Sequence, residues 1–346
     1  MELVNNLSRR QYIDGEWVDS ANNETRKIIN PYNQETIIEV AEGTAEDAER
    51  AILAARESVE LGEWTQETSE VRAQKVRAIA DAIKANKEEL ARLETLDTGK
   101  TLEESYADMD DIHNVFMYFA GLGDKDGGEL IDSPIPNSTS KVVKEPVGVV
   151  TQITPWNYPL LQASWKIAPA LVAGCSLVMK PSEITPLTTI RVFELMEEIG
   201  FPKGVINLVL GKGSEVGEPL SSHPEVDLVS FTGGIQTGKH IMKQAADHVT
   251  NIALELGGKN PNVIFDDADF DLAVDQALNG GYFHAGQVCS AGSRIIVHND
   301  IKDKFEAALI ERVKNIKLGN GFDETTEMGP VISAEHRTKI ENYMEI

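Results

Sequence analysis

The chain has 346 residues, a net charge of −24 and two cysteines, Cys175 and Cys289. That length holds two or three domains around a large core, and the charge repels nucleic acid and anionic membranes rather than holding them. Two widely separated cysteines give neither a disulfide framework nor a metal-ligand spacing, so no metal site is expected and the free thiols fit a reducing compartment.

The opening residues lack the apolar core of a signal peptide, and the longest apolar stretch, Ile167 to Met179, is broken by Pro169. It falls short of the roughly 20 residues of a membrane span, so a cytoplasmic location is expected. A strand segment is expected over Gln11 to Val18. Four helices follow: one from Thr44, where Asp47 completes a capping box and Ala48, Ala51, Ile52 and Ala55 form an apolar stripe, then about Ser69–Ala85, Lys87–Leu96 and Thr101–Ala120. Two short extended runs, Glu129–Ser133 and Ser140–Lys144, are joined by Pro134-Ile135-Pro136-Asn137 and read as a protruding hairpin.

From Val147 strand and helix alternate regularly: strand Val147–Ile153, helix from Pro159, strand Ser176–Met179, helix Pro186–Ile199, strand Val205–Leu210, helix from Ser214, strand Asp227–Phe231 and helix Ile235–Ala246. This alternation predicts a mostly parallel sheet covered by helices. Ser333–Ile346 reads as one more helix.

Several strand-to-helix turns carry chemistry. Gly211 to Gly217 and Phe231 to Gly238 are glycine-rich and open helices, a context in which backbone N–H groups receive phosphate, although one such loop alone is more often a tight turn. Lys180-Pro181-Ser182-Glu183 ends a strand with a cation and an acid suited to ribose hydroxyls; the carboxylate of Glu183 would repel a 2′-phosphate and so favours NAD over NADP. Asn157, in Thr154-Pro155-Trp156-Asn157-Tyr158-Pro159, offers an amide that donates to an oxyanion without ionising. Glu255 lies between Leu254 and Leu256, where poor solvation would raise its pKa toward that of a general base. Cys289 sits in the turn Gly286-Gln287-Val288-Cys289-Ser290-Ala291-Gly292 ahead of the apolar run Ile295 to Val297, a placement for a nucleophile. A thiol hydrolase is disfavoured, because no histidine lies in a motif suggesting a Cys-His pair and two phosphate-type loops would be unexplained.

The segments TPWNYP, KPSE, FTGG, LELGGKNP and FHAGQVCSAGSR, in this order and at these separations, resemble the NAD(P)-dependent aldehyde dehydrogenase superfamily over essentially the whole chain. The resemblance implies an α/β fold of that type: a Rossmann-type parallel sheet with helices on both faces, a protruding β-hairpin and the first part of a second α/β catalytic domain. It places a discontinuous NAD-binding domain at 1–124 and 145–254, the hairpin of the oligomerisation element at 125–144 and an incomplete catalytic domain at 255–346. Full-length relatives continue well past Ile346, so the chain is expected to be C-terminally truncated, and a homodimer or homotetramer is expected at full length.

Carried over residue by residue, the resemblance makes Cys289 the catalytic thiol, Glu255 the acid that activates the deacylating water, Asn157 the oxyanion donor and Lys166 a lysine near the proton path. Lys180, Ser182 and Glu183 fall at the adenosine ribose and Gly213 on the adenine side. Ile153, Thr154, Trp156, Phe231, Thr232, Gly233 and Gly234 fall along the cofactor, and Leu256 and Gly257 near the nicotinamide. Gly234 departs from the serine usual after Phe-Thr-Gly, which removes one hydroxyl donor to the pyrophosphate. Tyr158, Trp165 and Phe283 resemble aromatic positions of the betaine aldehyde and aminoaldehyde dehydrogenases, and aromatic faces attract a quaternary ammonium by about 0.5–2 kcal/mol each. The implied reaction is NAD-dependent oxidation of an aldehyde, betaine aldehyde first. Neutral aldehydes, aminoaldehydes, succinic semialdehyde or an inactive fragment are the alternatives, and NADP is a possible cofactor.

Overall fold

A computed structural model describes residues 2–125 and 127–346. The first extended segment is a hairpin, β1 (Gln11–Ile13) and β2 (Glu16–Val18), because Asp14 and Gly15 turn the chain with φ of 54° and 77°. A second antiparallel pair, β3 (Thr25–Ile29) and β4 (Thr36–Ala41), was not legible in the sequence. Helix α1 (Ala45–Leu61) starts on the expected capping box: the Thr44 N–H donates to the Asp47 carboxylate at 2.9 Å, and the Asp47 N–H donates back to the Thr44 hydroxyl. Helices α2 (Ser69–Ala85), α3 (Lys87–Thr98) and α4 (Leu102–Leu122) follow, α4 with its own capping box of Thr101 and Glu104. Strands β5 (Glu129–Asp132) and β6 (Thr139–Val142) then form the expected hairpin, exposed along its whole length.

The βα alternation runs through β7 (Val149–Ile153), α5 (Pro159–Ala173), β8 (Ser176–Lys180), α6 (Leu187–Ile199), β9 (Ile206–Leu208), α7 (Gly217–Ser222), β10 (Leu228–Gly233), α8 (Ile235–Ala246) and β11 (Asn251–Leu256). Helix α7 begins later than expected, at Gly217, because the chain from Lys212 first makes a turn. The seven-stranded sheet has the order β11-β10-β7-β8-β9-β1-β2, parallel throughout except where β1 joins β9 and β2. Alternation along β7 sends Val149 into one core with Ala48, Ile52 and Ile241, and Val150 into the other with Leu160, Phe193 and Met179. Both faces of the central strands are therefore covered.

Strand order reverses at β7, whose neighbours β8 and β10 lead away on opposite sides. In an open α/β sheet the crevice outside the carboxyl ends at such a switch point is where a ligand binds. Beyond it lie β12 (Pro261–Ile264), α9 (Phe270–Tyr282), β13 (Arg294–Val297), α10 (Lys302–Lys314) and α11 (Ala334–Met344). Strands β12 and β13 pair in parallel over a small core of Ile264, Val274, Ala277 and Phe305. The large sheet extends through Glu255 to Leu256, past the boundary expected before Glu255.

Candidate active site

The turn after β7 is fixed at its start, where the Thr154 N–H donates to the Lys180 carbonyl at 3.1 Å. It ends at Pro159, whose ring suits the first position of α5 because the missing N–H would have had no partner there. Between them the Trp156 ring packs edge-on against His336 of α11 at 4.8 Å, and the Asn157 amide donates to the Gln287 carbonyl at 2.8 Å.

The thiol loop follows α9. His284, Ala285 and Gly286 lie consecutively in the left-handed region at φ of 49°, 55° and 73°, a conformation that costs a non-glycine residue about 1–3 kcal/mol and persists only where surroundings enforce it. The enforcement is visible. The His284 N–H donates to Glu104 Oε1 at 3.0 Å, Gln287 Nε2 donates to the His284 carbonyl at 3.2 Å, and Asn260 Nδ2 donates to the carbonyls of Cys289 and Ala291 at 3.0 and 3.3 Å. Cys289 itself is exposed. It lines a cleft of about 530 Å³ with Asn157, Trp156, Thr232, Gly233, Gly234, Leu256 and Gly257, closed on one side by His336, Lys339 and Tyr343 of α11.

A second cleft, of about 790 Å³, gathers Ile153, Glu183, Gly213 and Phe231 with Arg26, Lys212 and His240. Between the clefts lies the N-terminus of α8, capped by Gly234 with no side-chain acceptor claiming its N–H groups. Lys180 is buried, its ammonium donating to the Pro181 carbonyl at 2.9 Å and lying 3.6 Å from Glu183; burial pushes its pKa down and the Glu183 charge pulls it back up. Ser182 is buried beside them. These residues fit a dinucleotide. A Cβ on Gly213, Gly234 or Gly257 would meet no protein atom within 4 Å, so the backbone there faces open cleft, and the buried hydroxyls of Thr154 and Thr232 have no hydrogen-bond partner among the described residues.

Lys166 is buried below the sheet end, Nζ donating to Ser230 Oγ at 3.0 Å. Burial pushes its pKa down to about 8, against the opposing pull of the Glu255 charge. Glu255 itself is exposed, which corrects the expectation of a poorly solvated carboxylate. Leu254 and Leu256 both point at Gly238 of α8, whereas strand alternation turns Glu255 to the other face of β11.

The three aromatics are not brought into one cavity. Tyr158 is buried with its ring against His284 at 5.4 Å and the Lys100 ammonium at 4.2 Å, and burial raises its pKa. Trp165, 47% exposed, lines a separate cleft of about 300 Å³ with Leu161, Tyr118 and Phe119. Phe283 is exposed and lines neither the thiol cleft nor the Trp165 cleft. Tyr158 precedes α5 rather than belonging to it, so helical spacing does not place it on the Trp165 face. Sequence reasoning did not reach His284, Gln287, Arg26, His240 or the α11 residues; only the first two lie inside a motif that could have flagged them.

The chain matches the model of the aldehyde dehydrogenase family over residues 17–346. It is 64% identical over 340 residues to betaine aldehyde dehydrogenase of Bacillus subtilis, covering 98% of this chain and 69% of that protein. It is 45% identical over 343 residues to aminoaldehyde dehydrogenase 2 of Zea mays, covering 97% and 68%. A crystal structure of betaine aldehyde dehydrogenase from Staphylococcus aureus in complex with NAD+ superposes with a TM-score of 0.99 at 82% identity, covering 100% of this chain and 68% of that one. The same Staphylococcus enzyme has been solved as a G234S variant, so glycine stands at position 234 there too.

Proposed function

This chain belongs to the aldehyde dehydrogenase family and is an NAD(P)-dependent enzyme, and from that premise we propose that it oxidises betaine aldehyde to glycine betaine, an osmoprotectant, through a thioester on Cys289. The observation that carries the reading is the bond from Asn157 Nδ2 to the Gln287 carbonyl, two residues before the thiol, in a cleft that also holds Gly233 and Gly234.

Lys180 and Glu183 take the adenosine ribose hydroxyls, Ser182 supports them, and Gly213, Ile153 and Phe231 flank the adenine side. The N-terminus of α8, with Gly233 and Gly234, receives the pyrophosphate. Trp156 lies beside the pyrophosphate, and Thr154, Thr232, Leu256 and Gly257 hold the nicotinamide side. NAD, when bound, supplies the hydride acceptor. The Cys289 thiolate adds to the aldehyde carbon, and Asn157 together with the Cys289 backbone N–H donates to the oxygen as its charge develops. Loss of hydride from that carbon leaves a thioester. Glu255 then takes a proton from water, which attacks the acyl carbon and returns the thiol. Lys166, whose pKa burial lowers to about 8, relays the proton onward.

The cation preference is supported by the likeness to betaine aldehyde dehydrogenase of Bacillus subtilis rather than by an assembled aromatic cage, since Tyr158 is buried against the Lys100 ammonium and Trp165 and Phe283 lie outside the thiol cleft. An ω-aminoaldehyde is the second reading, and identity to the Zea mays enzyme supports it. The exposed apolar side chains Leu130, Ile131, Ile135 and Val142 of the β5–β6 hairpin support a homo-oligomer. No helix among the described residues is long and apolar enough to cross a membrane, and a cytoplasmic location is part of the same proposal.

NADH formation with betaine aldehyde and with 3,3-dimethylbutanal, its uncharged isostere, tests the substrate. Betaine aldehyde should have the higher kcat/KM. Equal kcat/KM for the two compounds would remove the betaine aldehyde assignment.

A further inference from the structure

Asn157 is gripped from two sides by the loop that carries the thiol. Its side-chain amide donates to the Gln287 carbonyl at 2.8 Å, and its main-chain carbonyl lies toward the ring of His284. His284 is buried, held in a left-handed conformation, and packed against Tyr158. Its backbone N–H is taken by Glu104 Oε1 at 3.0 Å, while the other oxygen of the same carboxylate accepts from the N–H and hydroxyl of Thr101 at 2.7 and 3.0 Å. One carboxylate thus caps α4 and anchors the loop.

We propose that Glu104 and His284 are positioning residues that set the oxyanion donor Asn157 against the Cys289 thiol, with α4 as the fixed reference. The inference rests on the reading that Asn157 and Cys289 perform the first chemical step. Without the Glu104 anchor the His284 backbone N–H loses its acceptor and the left-handed turn loses one of the bonds that hold it, so the Gln287 carbonyl that holds the Asn157 amide would shift with the loop. The thiol would remain reactive. What would be lost is the alignment of donor and nucleophile, on which the rate depends steeply.

Glu104→Gln separates the two duties, because a glutamine can complete a capping box with its single oxygen but cannot also accept from His284. His284→Phe keeps the ring volume against Tyr158 and removes the ring nitrogens that face the Asn157 main-chain carbonyl. Both variants should slow the pre-steady-state burst of NADH at saturating aldehyde by roughly 10- to 100-fold, with KM little changed. Alkylation of Cys289 by iodoacetamide develops no oxyanion and should stay within about 2-fold of wild type. A normal burst in both variants would overturn the inference. So would a parallel fall of burst, alkylation and thermal stability, which marks simple loss of loop structure. Asn157→Ala is the companion: a normal burst there removes the oxyanion reading itself, whereas a slow burst there with normal Glu104→Gln and His284→Phe removes only the positioning roles.

Discussion

Every residue of β7, β8 and β9 is buried, whereas β12 and β13 leave alternate residues open on a two-stranded sheet. The first group lies between two helical layers and fills two cores, while the second closes over only Ile264, Val274, Ala277 and Phe305. The cofactor side of the site is therefore built into a rigid interior, with Lys180 and Ser182 themselves buried. The thiol, by contrast, is an exposed side chain on a loop anchored through buried His284 and Gln287 and tied by a few polar bonds from Glu104, Asn157 and Asn260. Changes on the sheet side should cost stability, and changes on the loop side should cost rate.

The largest expected effect lies on the loop. Cys289→Ala should abolish turnover while leaving NAD affinity within about 2-fold and the melting temperature unchanged, because the side chain is exposed and bears no packing. Cys175→Ala, in the buried core, should do the reverse, losing about 1 kcal/mol with turnover retained. Turnover assays beside calorimetric NAD titration would separate them, and retained turnover in Cys289→Ala would break the mechanism.

Next in size is stability. Phe193→Ala, fully buried beneath the sheet, should cost about 3–5 kcal/mol in urea unfolding. Val263→Ala on β12, with 53% of its surface exposed, should stay within about 0.5 kcal/mol. Similar losses at the two positions would erase the contrast between the regions.

Lys166 sharpens the comparison, since the sheet side holds a cation at a cost. Its pKa is about 8 in the folded protein against an ordinary 10.5, so between those values the unfolded chain binds the proton and the folded one does not. Stability from this group therefore rises with pH through that window, by roughly 3 kcal/mol at most, and is lowest below pH 8. Lys166→Met should be more stable than wild type at pH 7, with the advantage shrinking toward pH 10.5. A pH-independent difference in melting temperature would contradict the burial account.

The smallest effect is on cofactor choice. Glu183→Gln should narrow the kcat/KM preference for NAD over NADP by about 10-fold, equivalent to roughly 1.4 kcal/mol, if its carboxylate faces the ribose. An unchanged ratio would place that carboxylate away from the 2′ position.

The same contrast explains what could be read from residues alone. The capping box at Thr44, the strand within Val147–Ile153 and the turns after β8 and β10 are local signals, and they stand where expected. Strand β12 and helices α9 and α10 escaped because their apolar pattern is thin: α9 buries only Val274 and Ala277, and α10 only Phe305. The poor solvation expected for Glu255 fails because residues flanking it in a strand share a face that it does not. The contacts of α11 with the cleft are long-range, so no local pattern announces His336 against Trp156.

The claim at the centre is that an acyl group passes through Cys289 and is released by water that Glu255 activates. Glu255→Gln should still acylate, so incubation with NAD and betaine aldehyde, acid quench and peptide mass spectrometry should find the betainyl adduct on the Cys289 peptide, formed only with NAD present, and a NADH burst without sustained turnover. An adduct on the Cys175 peptide, or a burst with no adduct on Cys289, would contradict the account.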